Sequence, residues 1–189
     1  LVAESAGFDV ILVETVGVGQ SEYEVHSMTD LFLVLMQPGA GDELQGIKKG
    51  ILELADLIVV NKADGDAERL ASQSVVHYKN AMGFLNHQGF WTPEVLSVSS
   101  IEPRGIDTLW ERMVAYCEAG SEAIPARRTA QASQWFERLL NDGVTELLKT
   151  NAAWAELYQA QKQRVATGEI APPQAALACI EPLENALKS

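Results

Sequence analysis

Four short apolar runs set what this chain can fold into: Val10-Ile11-Leu12-Val13, Leu31-Phe32-Leu33-Val34-Leu35-Met36, Leu57-Ile58-Val59-Val60 and Glu94-Val95-Leu96-Ser97-Val98. They are rich in β-formers and continuous rather than alternating, as strands buried on both faces are. Amphipathic stretches separate them. Leu44, Ile47, Ile51 and Leu54 keep helical spacing. So do Leu70, Tyr78, Met82 and Leu85 within residues 66–85, and Ile106, Leu109, Met113 and Cys117 within 106–118. Leu1 to Ala6, closed by Gly7, predicts a last helical turn with a glycine stop. Strand–helix alternation of this kind predicts an α/β fold with a mostly parallel, three-layer sheet. In such sheets ligands bind beyond the C-terminal ends of the strands.

Beyond Gly120 the strand-like runs stop. Breaks at Asn141-Asp142-Gly143, Thr150-Asn151, Thr167-Gly168 and Pro172-Pro173 predict helices over roughly 127–149, 151–166 and 172–187. The expected division is therefore a sheet domain over 1–122 and a helical arm over 123–189. Three helices without a sheet make a thin core. Their apolar residues, among them Trp135, Phe136, Leu139, Leu140, Trp154, Leu157 and Tyr158, call for a cover, and Trp135 and Trp154 are the candidate anchors. Either the sheet domain or a second copy of the chain supplies such a cover, and the expectation is the second copy, in a homodimer.

Asn61-Lys62-Ala63-Asp64 follows the third run directly. An Asn-Lys-x-Asp tetrad at the tip of a buried strand suits a guanine base. The guanine edge offers two donors, N1–H and the exocyclic amine, and one carboxylate accepts both; Asp64 is placed for that role. Adenine presents an acceptor instead and would leave the carboxylate unpaired, which is what makes such a site selective. Asn61 would hold the base through its amide, with the Lys62 stem along the ring face. Ser99 and Ser100, after the fourth run, are placed to offer backbone N–H groups to the guanine carbonyl oxygen.

Glu14-Thr15-Val16-Gly17 follows the first run. GTPases carry an acid three residues before a glycine here, the acid near Mg²⁺, directly or through water, and the glycine N–H at the γ-phosphate; Gly17-Val18-Gly19 reads equally well as a plain strand-to-helix turn. Glu14 and Gly17 are the candidates. Val18 stands directly after the glycine, and Gln20, two positions further, is the candidate to orient water. No Gly-x-x-x-x-Gly-Lys-Ser/Thr phosphate loop occurs in these 189 residues. The nearest match runs from Gly41 to Lys48, with Ile47 where the lysine belongs. The chain begins at Leu1, and the expectation is the C-terminal part of a longer protein. Asp42, Gln45 and Lys48 recur every third residue behind the Pro38-Gly39-Ala40-Gly41 loop.

A net charge of −12 and a pI near 4.6 argue against nucleic-acid partners and against an anionic membrane surface. No apolar stretch approaches the ~20 residues of a membrane span. Cys117 and Cys179 have neither metal nor disulfide spacing, which favours a reduced, cytoplasmic setting. His26, His77 and His87 lack ligand spacing as well.

Three segments together carry a family resemblance: Val13 to Glu22, Pro38 to Gly50, and Ala55 to Asp66. They resemble the MeaB/ArgK (MMAA-like) family, GTPase chaperones of the adenosylcobalamin-dependent methylmalonyl-CoA mutase. The resemblance implies a P-loop GTPase domain of the SIMIBI type, N-terminally incomplete here, with a C-terminal α-helical arm. It implies binding of GTP and GDP with Mg²⁺, slow GTP hydrolysis, and a role in loading and protecting the B12-dependent mutase. It places Asp42, Gln45 and Lys48 in a switch that couples nucleotide state to that mutase. It makes the C-terminal helices a dimerisation arm. Two other readings stand beside it: a nickel-enzyme maturation GTPase, and a non-catalytic dimerisation or interaction module.

Overall fold

The computed structural model describes residues 2–15, 21–39, 49–84 and 89–188. Among the described residues three parallel strands lie in the order β1 (Leu33–Met36), β2 (Leu57–Val60) and β3 (Glu94–Ser97). Leu57 stands beside Leu33 on one side and Glu94 on the other. All four residues of the central strand are sealed from solvent, as a continuous apolar run requires. Ile58 and Val60 enter a core with Met36 and Val95. The alternate residues Leu57 and Val59 point to the opposite face and are equally buried. Both faces are therefore covered at β2, as in the three-layer α/β arrangement expected, whereas Leu35 of β1, beside Val59 on the second face, is exposed.

Before the sheet come α1 (Val2–Ser5) and α2 (Ser21–His26). Gly7 takes φ +85°, and the Phe8 N–H returns to the Ala3 carbonyl at 3.3 Å, so the glycine stop forms as expected. The run Val10–Val13 departs from expectation. It forms no strand, and Val10, Ile11, Leu12 and Val13 are all exposed. Apolar β-formers become a strand only where a neighbouring edge supplies hydrogen bonds, and among the described residues none pairs with this run.

Helix α3 (Lys49–Leu54) joins β1 to β2, and α4 (Glu68–Gly83), entered through a 3₁₀ turn at Gly65–Ala67, joins β2 to β3. The inner face of α4 differs from the predicted stripe. Ala71, Ser74, Tyr78 and Met82 are buried, whereas Leu70 is 40% exposed and Leu85 lies outside the described residues. The small residues let the helix approach the sheet, and the Ser74 hydroxyl accepts the Gly39 N–H at 3.2 Å. A hydrophobicity stripe overlooks both features. In α5 (Ile106–Ala119) the deepest residue is Tyr116; Ile106 and Cys117, predicted to face inward, are exposed. Tyr116 is buried because its hydroxyl has a partner, the Asp30 carbonyl at 2.9 Å.

The three remaining helices are α6 (Ala123–Thr150), α7 (Ala152–Ala166) and α8 (Pro172–Lys188), close to the predicted spans. The chain divides into two compact units, Leu1–Gln131 and Ala132–Ser189, and α6 runs across the division. In the second unit Asn151 caps α7 by accepting the Trp154 N–H at 3.1 Å. Gly168, at φ +74°, terminates that helix. Trp154 is not a free interface anchor. Its indole N–H donates to the Cys179 carbonyl at 3.1 Å and its ring stacks on Tyr158, so it serves the α7–α8 contact.

Within the first unit a polar cluster ties the start of α6 to the N-terminal ends of β1 and β2. The Asp56 carboxylate accepts the Phe32 N–H at 2.8 Å. Arg127 donates to the Asp30 carbonyl at 2.8 Å and stands 3.8 Å from Asp56. Gln131 reaches the Thr29 carbonyl at 3.1 Å. His26 packs edge-on against Phe32. Burial lowers the His26 pKa below its usual 6.5, against the pull of Asp56. Burial raises the Asp56 carboxyl despite the Phe32 N–H and Arg127. The two act in opposite senses. Below about pH 6.5 the unfolded chain takes up a proton on His26 that the fold resists, so stability falls as pH drops. Asp56 keeps its proton to higher pH in the fold, so its contribution is present in acid and is lost as pH rises through the folded value. His26→Gln is therefore expected to flatten the fall in thermal midpoint between about pH 7 and 5.5. An unchanged slope in a melting series would remove His26 as its source.

Candidate functional site

The loops leaving β2 and β3 at their C-terminal tips are stitched together. The Ala63 N–H donates to the Val98 carbonyl at 3.0 Å, and Val98 N–H to the Val60 carbonyl at 2.9 Å. Lys62 takes φ +60°, the left-handed region. For a residue with a Cβ this costs roughly 1–2 kcal/mol. Asn61 offsets part of it, because its Oδ1 accepts the Lys62 N–H at 2.7 Å. The same oxygen accepts the Ser100 hydroxyl at 2.9 Å. The kink leaves Lys62 exposed, Ala63 buried and Asp64 half-buried.

Ser99 is fully buried between the loops. Its hydroxyl accepts the Glu102 N–H at 3.0 Å and lies 2.5 Å from Asp64 Oδ2. With the Glu102 N–H on its lone pair, its own proton points at Asp64, a charge-assisted contact that fixes the carboxylate. Among the described residues Asp64 Oδ1 accepts no hydrogen bond. A half-buried carboxylate held by one oxygen and open at the other fits the paired donors of a guanine edge.

The second loop closes on itself at Arg104. Ser99 and Arg104 exchange two backbone hydrogen bonds, of 2.9 and 3.2 Å. Gly105 follows at φ +76°, and a Cβ there would stand 2.6 Å from the Ser97 carbonyl oxygen. Only glycine turns the chain into α5 at that point.

The structure thus brings Asn61, Lys62, Asp64, Ser99 and Ser100 to one place. It alters the role given to Ser99. Its N–H is taken by the Arg104 carbonyl, so Ser99 acts through its hydroxyl, and Ser100 is the one left to offer an amide to a base. Glu14 lies in the exposed segment after α1 and makes no hydrogen bond or ion pair among the described residues. Gly17, Gln20, Asp42, Gln45 and Lys48 fall outside the described residues. Among the described residues no three His, Cys, Asp or Glu side chains converge on a metal position. Glu14 alone would be a carboxylate for Mg²⁺, a cation commonly bound by one or two carboxylates, water and substrate phosphates. Arg104 was not singled out from sequence. The signal available was a cation placed directly before the glycine that opens α5.

A parallel α/β sheet with polar loops at its strand tips is the architecture of the P-loop GTPases. The solved structure of a LAO/AO transport system kinase superposes with a TM-score of 0.79 at 34% identity, covering 96% of this chain and 59% of that one. Residues 1–153 match the family described as methylmalonyl Co-A mutase-associated GTPase MeaB, and the chain belongs to that family. A putative GTPase of Caulobacter vibrioides is 44% identical over 180 residues, 93% of this chain and 55% of the relative. GTPase ArgK of Escherichia coli is 39% identical over 175 residues, 91% and 53% of the two chains. The mouse mitochondrial methylmalonic aciduria type A homolog is 37% identical over 179 residues, 93% and 43%. The chain spans about half the length of the curated relatives it matches. Family membership separates it from the nickel-enzyme maturation GTPases. Among the described residues no helix is long and apolar enough to cross a membrane.

Proposed function

We propose that the whole protein is a GTP-hydrolysing chaperone of an adenosylcobalamin-dependent methylmalonyl-CoA mutase, and that this chain carries its base-reading loops and helical arm. The observation that carries the reading is the Asp64 carboxylate, braced by Ser99 at the tip of a buried parallel strand, in a family described as mutase-associated GTPases. Asp64 accepts the guanine donors, Asn61 steadies the loop, the Lys62 stem covers the base and Ser100 meets its carbonyl. Glu14 would hold Mg²⁺ directly or through water, which supplies charge neutralisation at the phosphates. Gly17 offers its N–H to the γ-phosphate and Gln20 orients water. Asp42, Gln45 and Lys48 pass the nucleotide state to the mutase. The protein works in the cytoplasm as a homodimer.

The dimer reading is supported by α6. Trp135, Phe136, Leu139, Leu140, Val144 and Leu147 are each roughly half exposed or more and recur at helical spacing along it. Adding the mutase to the whole protein is expected to accelerate GTP hydrolysis, and Lys48→Ala or Gln45→Ala to reduce the ratio of stimulated to basal rate. No acceleration contradicts the chaperone reading. In light scattering, deleting residues 132–189, which leaves the Arg127 and Gln131 contacts of the first unit in place, is expected to leave a monomer; a dimer that survives the deletion contradicts the arm assignment.

A further inference from the structure

We propose that Arg104 is a positioning residue for base selection: it braces the Asp64 carboxylate from both sides and so sets how well guanine is told from hypoxanthine. The proposal rests on the guanine reading of Asp64. The first brace runs through Ala63. That residue is buried, and both its backbone groups are engaged, the N–H by the Val98 carbonyl and the carbonyl by the Arg104 guanidinium. The clamped N–H belongs to the peptide after the left-handed Lys62 and the clamped carbonyl to the peptide that joins Ala63 to Asp64, so the chain is held where it would otherwise relax toward an ordinary conformation. The second brace runs through Ser99. The residue at 104 holds Ser99 by two main-chain hydrogen bonds, which a substitution there keeps, and the Ser99 hydroxyl holds Asp64; what the guanidinium itself adds is the first brace.

The guanidinium is itself fixed from outside the site. Glu68 Oε1, at the start of α4, accepts from it at 3.0 Å, and Glu102 Oε2 stands 3.8 Å away. These pairs are half exposed, and exposed ion pairs contribute little stability. Their effect is orientational: a planar fork held at one end presents the other donor in a fixed direction. Guanine differs from hypoxanthine by the exocyclic amine. A carboxylate aimed correctly meets N1–H and the amine together, and a modest rotation keeps the first contact and loses the second.

The test is binding of GDP and of IDP to the whole protein, as the wild type and as Arg104→Ala. The wild type is expected to prefer GDP by about 10- to 100-fold, the worth of one hydrogen bond to a charged group. Arg104→Ala is expected to cut the preference to about threefold or less, with GDP affinity carrying most of the loss. A merely structural role would weaken both nucleotides together and leave their ratio alone. Arg104→Met keeps the side chain's length without its donors and is expected to give the same ratio, so it carries the test if the alanine variant does not fold. A wild-type ratio in whichever variant folds overturns the proposal. A wild type that does not prefer GDP overturns the guanine reading and this proposal with it.

Discussion

Asp64→Asn is expected to exchange the base preference of the whole protein, weakening GTP on the order of 100-fold and improving xanthosine triphosphate. Two polar contacts change in a half-buried site, a swing of roughly 3 kcal/mol. The geometry also says which way the amide will point. The Ser99 hydroxyl donates to the carboxylate while accepting the Glu102 N–H, and keeping that donated bond leaves the asparagine oxygen with Ser99. Its NH₂ then faces the base. There it meets the extra carbonyl of xanthine and opposes the amine of guanine. Competition between the two triphosphates reads the result, and an unchanged preference for GTP removes Asp64 from the guanine role.

Gly105→Ala is expected to be the most damaging small substitution in the sheet domain. The new Cβ would lie 2.6 Å from the Ser97 carbonyl oxygen and 3.5 Å from Val98 Cα, and the residue sits at φ +76°. The obstacle is backbone at the end of β3, which cannot swing aside as a side chain can. Strain of this kind plus the lost turn costs roughly 2–4 kcal/mol. The displacement falls on the two residues before Ser99, so base binding should suffer with stability. Urea unfolding measures the first effect, and a loss under about 1 kcal/mol would show that the turn adapts.

The parts of this fold most readable from sequence are those where local chemistry agrees with tertiary context. Leu57–Val60 is apolar throughout because it is the middle strand, and α7 begins at Asn151 and stops before Gly168 while α8 begins at Pro172; α6, by contrast, runs unbroken through Asn141-Asp142-Gly143. Val10–Val13 has the same composition as β2 and forms no strand, since composition reports a wish for burial and not the presence of a neighbour. On α4 the expected Tyr78 and Met82 are buried, but toward its start Ala71 and Ser74 are inside rather than Leu70, because small side chains escape a hydrophobic stripe yet are what the sheet accepts.

The candidate site shows the same split. Asn61, Lys62 and Asp64 lie within one tetrad directly after a strand, so their placement at one strand tip could be read directly. Ser99 and Ser100 could be placed nearby but not given their contacts. Which group of Ser99 faces Asp64 depends on Arg104, five residues on, whose backbone takes the Ser99 N–H. The left-handed Lys62 and the arginine clamp on Ala63 are properties of two loops folded together, and neither loop carries a sign of them alone.

The central claim is that the loops after β2 and β3 read a guanine base. A crystal structure of the whole protein with Mg²⁺ and GDP tests it most directly. Guanine N1 and the exocyclic amine are both expected within hydrogen-bonding distance of the Asp64 carboxylate, with the Ser99 hydroxyl still on that carboxylate and the Lys62 stem along the ring. A base bound elsewhere, or an Asp64 turned away from it, would contradict the account.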